Sequence, residues 1–401
     1  MKRKVGVWLK YGYSPSKGGG FSYYDALLHA LATNKTNSDV EICLVSPAQE
    51  AASIDGLECV CLGLLPNKVP LIKVLTLNHR WAKLILIVAN RLFKRRWQSK
   101  LKKAGVSLVY YTTQGEFVLS DFPFITTIWD MGYFVTYPFP ELVRGNNFKG
   151  RRATYTDILP KALMVFCESE AGKDALVKYA NICEQKIRVL PIFAGNVVNM
   201  KVTDTEQAQI LVKHGLKKNS YFFYPAQFWA HKNHIAILKA FVEFLPAHAD
   251  YRLVFTGGNK GNLMYVKSIC EELKLTKNVL FLGFVENEEL FTFYKNATAL
   301  VMASYFGPTN MPPIEAMHLS CPVICSDIEG HREILGDAAL YFNANESKQL
   351  LNAMCTIHEK HEAYRKMLDQ RLKSSKFTIG YTIGKMQEYF SEAVVVRNTW
   401  E

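Results

Sequence analysis

One short segment of this 401-residue sequence contains residue types that could take part in substrate binding or catalysis. The segment SYFGPTNMPPIEAM, residues 304–317, follows the apolar run ATALVMAS and places Glu315 after two prolines, which favour a helix start. A glutamate in the first turn of a helix commonly only complements the helix dipole. A carboxylate at the end of a strand can also accept hydrogen bonds from two adjacent hydroxyl groups, as a ribose presents them. Glu315 is therefore a candidate nucleotide-binding residue.

A second candidate lies in FFYPAQFWAHKNHIAILKAF, residues 222–241. The pattern predicts a strand that ends at Ala226 and a helix that starts near Asn233. Lys232 lies beside that helix start, where its ammonium and the helix N-terminus can both meet an anionic group, with Gln227 across the loop. A single lysine at this position is usually surface charge, so its weight comes from the neighbouring motifs.

Two glycine-rich loops follow predicted strands. Gly18, Gly19 and Gly20 precede a helix predicted to begin near Ser22, and a second loop, FTGGNKGN, contains Gly257. Glycines let backbone N–H groups approach a phosphate closely. Neither loop matches the dinucleotide or P-loop fingerprint, and a flexible loop without a ligand remains the alternative.

The elements that position these residues repeat in two series. Five β-branched apolar runs alternate with amphipathic stretches before residue 196, and five more follow, which is typical of βα units around parallel sheets. We predict two Rossmann-like α/β domains over residues 1–195 and 196–376, and a C-terminal helix over 377–401 whose packing partner is open. In such sheets, ligands collect beyond the carboxyl ends of the strands, where all the candidate residues lie.

Composition and charge limit the function classes. A hydrophobic content of 49% with 21% charged residues indicates a globular protein, and the basic N-terminus lacks the apolar stretch of a secretory signal, so we expect a cytoplasmic location. The nine cysteines show neither a disulfide framework nor zinc-ligand spacing, so we expect reduced thiols and no structural metal.

The net charge of +12 is concentrated in residues 68–103, which carry eleven lysines and arginines and no acidic residue. Within this region, HRWAKLILIVANRLFKRRWQSKLKK mixes cations with large apolar residues, as a helix on an anionic membrane surface does. A core helix with a solvated basic end is the alternative. No recognition motif accompanies the charge, so nucleic acid is not expected as a partner.

The motifs around Glu315 and Lys232 together resemble a known family. SYFGPTNMPPIEAMHLSCPVICSDIEGHREILGDAALYF and PAQFWAHKNH are similar to the nucleotide-sugar-dependent glycosyltransferases of GT-B fold, in the retaining group numbered family four. FTGGNKGN, TTIWDMGYFVTYPFPE and CESEAGKDAL extend the likeness through nearly the whole chain. The resemblance implies the GT-B architecture, in which two Rossmann-like domains face each other across a cleft.

The resemblance also assigns roles to donor-binding positions. Glu315 looks like the second glutamate of the Glu-x7-Glu signature, which binds the donor ribose, and Lys232 looks like the diphosphate-binding lysine. Gly19 and Gly20 resemble the phosphate-contacting loop, and Gly257 lies in the matching second loop. Asn310 and Met311 fall where backbone amides hold the phosphate and the transferred sugar.

Three positions depart from the family pattern. Gly307 stands where the first signature glutamate usually contacts the donor sugar, and Gln227 stands where an arginine often helps to neutralise the diphosphate. Lys17, Lys260 and Arg332 are the cations that could replace that arginine. Trp129 replaces the usual histidine before Asp130. We predict Asp130, Lys232 and Glu315 as the catalytic residues, with loop bracing as the alternative for Asp130.

The sequence thus predicts a retaining, metal-independent glycosyltransferase without a cofactor. It would move a sugar from a nucleoside diphosphate to a glycan, which we expect to be lipid-linked, in bacterial-type surface polysaccharide biosynthesis such as O-antigen, capsule or lipopolysaccharide. The basic 68–103 region would attach it to the cytoplasmic face of the inner membrane. A nucleotide-sugar epimerase of the same fold and a catalytically inactive, membrane-associated glycan-binding protein are the alternatives.

Overall fold

The structure, a computed structural model, describes residues 3–9, 19–33, 40–47, 54, 56–63, 80–114, 117–144, 147–307 and 309–400. Within these ranges, two parallel sheets follow one another along the chain. The apolar runs are buried on both faces of each sheet, as strands are when helices cover them. The prediction of two Rossmann-like α/β domains with the GT-B arrangement is confirmed.

The N-terminal sheet has the strand order β3-β2-β1-β4-β5-β6-β7 in the described part of the chain. Its strands are β1 (Arg3–Trp8), β2 (Val40–Ser46), β3 (Cys59–Cys61), β4 (Val106–Tyr111), β5 (Phe124–Ile128), β6 (Met164–Cys167) and β7 (Ile187–Val189). Its helices are α1 (Gly19–Thr33), α2 (Arg80–Lys103), α3 (Gly132–Val135), α4 (Pro140–Val143), α5 (Asn147–Ala153) and α6 (Glu170–Ala180). A π-helical turn, Thr154–Ile158, continues α5.

The C-terminal sheet has the order β10-β9-β8-β11-β12-β13. Its strands are β8 (Tyr221–Pro225), β9 (Arg252–Thr256), β10 (Val279–Gly283), β11 (Ala299–Met302), β12 (Val323–Ser326) and β13 (Leu340–Phe342). The helices are α7 (Asp204–Lys213), α8 (His234–Phe244), α9 (Leu263–Glu272), α10 (Asn287–Asn296), α11 (Met311–His318), α12 (Glu329–Leu335), α13 (Ser347–Glu359) and α14 (His361–Lys373).

The last helix, α15 (Ile379–Arg397), packs on the N-terminal sheet although it follows the C-terminal one. The Phe390 ring lies 5.3 Å from the ring of Tyr110 in β4, measured between centroids. The Thr382 hydroxyl donates to the carbonyl oxygen of Pro191 at 2.6 Å. The helix therefore joins the two domains a second time.

Two helix starts differ from the sequence prediction. Helix α11 begins at Met311, so Glu315 lies in its second turn and not its first. Helix α1 begins at Gly19 and not near Ser22, so Gly19 and Gly20 belong to the helix start. The first case has a clear reason: proline lacks an N–H that the first turn would leave unpaired, so the helix can begin before Pro312.

The basic region 68–103 is described only from Arg80 onward, where it forms α2. Trp97 and Leu101 are buried, and the Trp97 ring lies 6.3 Å from that of Trp8 in β1. Leu92 is 60% exposed, on a segment that also exposes Arg95 and Arg96. The C-terminal half of α2 thus combines a core-packed face with an exposed basic face. Among the described helices, none has the length and apolar character needed to cross a bilayer.

Candidate functional site

Lys232 ends a short 3-10 turn between β8 and α8, with its side chain directed at the loop after β11. Its Nζ donates to Asn310 Oδ1 at 2.9 Å and to Ser304 Oγ at 3.4 Å. Burial lowers the pKa of Lys232 to about 8, although the nearby Asp130, Glu141 and Glu168 oppose this shift. The lysine is thus a half-buried cation, and its hydrogen-bond partners among the described residues of its own domain are neutral.

Asp130 lies just beyond the end of β5, on the N-terminal side of the cleft. Its Oδ1 accepts from the Gly132 backbone N–H at 3.1 Å and pairs with Arg151 Nη1 at 3.3 Å. Its Oδ2 lies 3.5 Å from Gln114 Nε2. These contacts brace the loop, but Asp130 also lines the cavity that contains Lys232, so it faces the cleft as well.

A cavity of about 350 Å³ separates the two domains at this point. Its lining includes the two predicted residues Asp130 and Lys232, one from each domain, together with Asn310. A larger cavity of about 620 Å³ shares Asp130, Phe306 and Gly307 with it. The larger cavity is also lined by Tyr179 and Tyr305, and by the acidic residues Asp174, Asp327 and Glu329.

Two acidic residues of the N-terminal domain hydrogen-bond to C-terminal residues beside Lys232. Glu141 accepts from the backbone N–H of His231 at 3.0 Å and from its ring Nδ1. Burial opposes ionisation of Glu141, but the hydrogen bonds from His231 hold its pKa below the usual value. Burial also lowers the pKa of His231, so the contact joins a carboxylate to a neutral ring.

Glu168 follows β6 and is the second of these residues. It is buried and accepts a hydrogen bond from the Thr309 hydroxyl of the opposite domain. Burial, reinforced by the charge of Asp130, raises the pKa of Glu168 well above its usual value. The two cross-domain contacts hold the loops that follow β8 and β11 against the N-terminal domain.

Glu315 is buried away from the cavity that contains Lys232. Its Oε2 accepts from the Tyr294 hydroxyl at 2.7 Å. Burial raises the pKa of Glu315, and the hydrogen bonds from Tyr294 and from the Gly195 backbone partly offset this effect. An ionised carboxylate has about four acceptor positions, so these two bonds leave capacity for further donors.

Gly195 lies where the chain passes between the domains, and it leaves room for Glu315. A Cβ on Gly195 would lie 2.7 Å from Glu315 Oε1 and 3.2 Å from the Met311 sulfur. Met311 and Glu315 therefore form a second group at the domain junction, while Asp130, Lys232 and Asn310 meet in the cleft.

The other residues predicted to bind the donor are Gln227, Gly257, Gly19 and Gly20, and each lies in a different environment. Gln227 Oε1 accepts from Trp229 Nε1 at 3.1 Å, which leaves its amide nitrogen for another partner. Gly257 has φ of 124°, and a Cβ there would lie 2.5 Å from the carbonyl oxygen of Ala226, so the second glycine loop packs directly on the end of β8. Gly19 and Gly20 begin α1, and Gly18 lies outside the described residues.

The cations considered as substitutes for the family arginine are placed elsewhere. Arg332 forms a bidentate pair with Asp327 at 2.5 and 2.8 Å. Lys260 Nζ lies 5.8 Å from the centre of the Trp229 ring, and Lys17 lies outside the described residues. In the described ranges, no group of three or more His, Cys, Asp or Glu side chains is arranged to hold a metal ion.

The departure at Gly307 has a physical cause. Gly307 has φ of 137°, and a Cβ there would lie 2.6 Å from Asn310 Nδ2 and 2.9 Å from the Thr309 carbonyl oxygen. A glutamate at position 307 would therefore collide with the asparagine that accepts from Lys232. The Asn310 side chain thus occupies the space that a side chain at position 307 would need.

Sequence reasoning missed four side chains that shape this site: Glu141, Glu168, Tyr294 and His331. Glu168 lies at the end of the predicted strand ALMVFCES and directly follows β6, and His331 lies in the first turn of α12, after β12. The rule that sites form at strand ends could therefore have identified both. Glu141 and Tyr294 lie within helices, and their sequence positions give no such signal.

Comparisons with known proteins support a family assignment. Residues 206–373 match the family model described as glycosyl transferases group 1. The O-antigen chain mannosyltransferase RfbU of Salmonella typhimurium is 32% identical over 200 residues, which cover 50% of this chain and 52% of that protein. The chain thus spans about half the length of the curated relative that it matches.

Solved structures match over nearly the whole chain. Sucrose-phosphate synthase from Thermosynechococcus elongatus has a TM-score of 0.72 at 17% identity and covers 98% of this chain and 100% of its own. Anabaena HepE, solved in complex with UDP and glucose, has a TM-score of 0.68 at 16% identity, with coverage of 97% and 100%. The protein therefore has the two-domain GT-B fold, and residues 206–373, in its C-terminal domain, are similar to the group 1 glycosyl transferases.

Proposed function

We propose that this protein is a retaining glycosyltransferase that moves a sugar from a nucleoside diphosphate to a glycan acceptor. The observation that carries the proposal is the half-buried Lys232 ammonium, which lines a cleft between two α/β domains with Asp130 on the opposite side. The match of residues 206–373 to the group 1 family model and the O-antigen mannosyltransferase among the relatives support it.

The proposed chemistry places the largest demand on the leaving group. Cleavage of the bond between the anomeric carbon and the diphosphate leaves negative charge on the phosphate oxygens, and a preorganised cation stabilises that charge. Lys232 supplies the cation, and the backbone N–H groups at the start of α1 and α11 supply further donors. Because Lys232 is half-buried, its charge acts on the diphosphate with less screening than a fully exposed lysine would.

The acceptor hydroxyl attacks on the face from which the phosphate departs, so the new bond keeps the original anomeric configuration. The departing phosphate takes the hydroxyl proton, and no protein nucleophile is needed. Asp130 hydrogen-bonds the acceptor hydroxyl and orients it, because it lines both cavities. The acceptor sugar occupies the larger cavity, where the exposed Tyr179 ring and acidic side chains match the apolar faces and hydroxyls of a sugar.

The acceptor that we propose is a lipid-linked glycan of bacterial-type surface polysaccharide, such as O-antigen. Binding to such an acceptor requires the protein to reach a membrane surface, and the exposed basic face of α2 suits anionic lipid headgroups. We also propose that transfer needs no metal ion, since Lys232 and the helix N-termini would neutralise the diphosphate. Full activity in excess EDTA is the expected result, and loss of activity that Mg²⁺ restores would contradict it.

The decisive experiment measures nucleotide release from a panel of nucleotide sugars in the presence of lipid-linked glycan, beginning with GDP-mannose and UDP-glucose. One donor should be turned over, and Lys232→Ala should reduce turnover by about 100-fold, the usual effect of losing one leaving-group stabiliser. Lys239→Ala is the matched control, because Lys239 is an exposed lysine in α8.

Two outcomes would reject the proposal. A folded wild-type protein that binds a nucleotide sugar but turns over none of them would favour the inactive glycan-binding alternative. Release of an epimerised sugar without an acceptor would favour the epimerase. Equal turnover by wild type and Lys232→Ala would remove the lysine from the mechanism.

A further inference from the structure

The Asn310 side chain links Lys232 to a buried histidine in the next βα unit. Asn310 Oδ1 accepts from Lys232 Nζ at 2.9 Å, and Asn310 Nδ2 lies 2.9 Å from His331 Nε2. His331 Nδ1 lies 2.8 Å from the backbone carbonyl oxygen of Ser326. The three side chains thus form a continuous hydrogen-bonded chain from the end of β12 to the cleft.

The carbonyl at the end of this chain fixes the direction of every bond in it. A carbonyl oxygen only accepts, so His331 Nδ1 must carry the proton and donate to Ser326. The neutral ring then offers Nε2 as an acceptor, and the only Asn310 group that can donate to it is the Nδ2 amide. Asn310 Oδ1 is consequently turned toward Lys232, where it can accept from the ammonium.

We propose that His331 is a positioning residue for Lys232: by accepting from Asn310, it keeps the amide oxygen facing the ammonium and so holds Lys232 where the donor diphosphate binds. This inference rests on the proposed function, because it assumes that Lys232 contacts the diphosphate. His331 touches neither cavity described above, so it acts through Asn310 alone.

The alternative orientation of the amide would be unfavourable. If Asn310 were flipped, its two N–H donors would face the ammonium of Lys232, which also only donates. His331 prevents this because it is fully buried and burial lowers its pKa to about 4, so the ring stays neutral at the pH of the cytoplasm. The nearby charges of Lys232 and Asp327 act on it in opposite directions.

Three variants test the inference through the affinity for GDP and UDP, measured by titration calorimetry at pH 7. His331→Phe keeps a buried planar ring and removes the acceptor, and it should weaken binding of the better nucleotide about tenfold, the cost of one misplaced charged hydrogen bond. His331→Gln restores an amide oxygen near the Nε2 position and should recover most of the affinity. His318→Phe is the control, because His318 bonds only to the Phe377 carbonyl, in the shell between α11 and α15.

A double-mutant cycle separates positioning from general destabilisation. In a Lys232→Ala background, His331→Phe should change nucleotide affinity by no more than about twofold, since the ammonium that it positions is gone. Full additivity of the two substitutions, or equal affinity of His331→Phe and wild type, would overturn the inference. A Lys232→Ala protein that binds GDP and UDP like wild type would instead refute the proposed function, so the two failures are distinguishable.

Discussion

The two sides of the cleft hold their polar residues in different ways. On the C-terminal side, Lys232 and Glu315 bond to partners within or next to their own domain, through Asn310 and Tyr294. On the N-terminal side, Glu141 and Glu168 bond across the cleft. The C-terminal polar residues are therefore held within one domain, whereas the N-terminal contacts depend on how closely the domains meet. Preorganised groups suit leaving-group stabilisation, and contacts across a cleft suit closure over a substrate.

The close packing of Gly132 against Phe306 of the opposite domain offers the strongest test of this difference. A Cβ on Gly132 would lie 2.4 Å from the Phe306 ring, so Gly132→Ala should force the domains apart. We expect a loss of transfer rate of about 100-fold, since a displacement of about 1 Å can have that effect. Nucleotide affinity should change far less, because Lys232, Asn310 and Glu315 stay together in the C-terminal domain.

Steady-state transfer assays beside GDP and UDP titrations measure both effects. Gly132→Ala combined with Phe306→Leu should regain activity, because the smaller side chain restores the space. Gly150→Ala is a suitable control, since a Cβ there meets nothing within 4 Å. Loss of nucleotide affinity equal to the loss of transfer would show that donor binding itself needs both sides.

Substitution of Asp130 should lower the transfer rate less than Gly132→Ala does, because it changes only the N-terminal side of the cleft. If Asp130 orients the acceptor hydroxyl, Asp130→Asn should lower transfer about 30-fold, in the range for a hydrogen bond to a charged group. It should leave GDP and UDP affinity and slow hydrolysis of the donor unchanged. Thermal unfolding serves as the control: a large drop in Tm with unchanged transfer per folded molecule would assign Asp130 to bracing the Arg151 loop.

The sequence predicted more of the C-terminal side than of the N-terminal side. Lys232, Asn310 and Glu315 follow strands or lie in a distinctive motif, so local pattern was enough to select them. The packing of α15 on the N-terminal sheet, and the contacts of Glu141 and Glu168 with the opposite domain, join residues 90 or more positions apart in sequence. Such pairings depend on tertiary geometry, which no local pattern encodes.

Gly307 illustrates the same limit within a motif. The sequence showed that the first signature glutamate is missing, but only the geometry relates this absence to the Asn310 side chain. Likewise, the sequence predicted that Glu315 and Lys232 bind the same donor. The structure places Glu315 at the domain junction, next to Gly195, and not in the cavity that contains Lys232. Motif residues that act on one substrate need not share one cavity.

The pH dependence of kcat/KM for the donor tests the role of Lys232 on the C-terminal side. Because burial lowers the pKa of Lys232 to about 8, the lysine is mostly charged at pH 7 and mostly neutral at pH 9. If the charged form binds the diphosphate, as proposed, kcat/KM for the donor should fall about tenfold between pH 7 and pH 9, following the free-enzyme pKa. The profile of Lys232→Arg should stay flat over this range, because a guanidinium remains charged. A wild-type profile that is flat from pH 7 to pH 9 would contradict a titrating lysine.

The exposed face of α2 extends the comparison to a surface outside the cleft and should give the smallest effect on chemistry. Arg95 and Arg96 are exposed near the buried Trp97, so replacing one of them should leave the fold intact.

Arg96→Gln should weaken binding to vesicles containing phosphatidylglycerol about fivefold, as one cation near an anionic surface contributes about 1 kcal/mol. Sedimentation with vesicles measures this binding, and added salt should reduce it for wild type too. Transfer to a water-soluble acceptor should not change. Lys217→Gln is the control, because Lys217 carries the same charge and pairs with Asp250 on the C-terminal domain. An equal loss of vesicle binding for both variants would mean that net charge, and not this helix face, governs the binding.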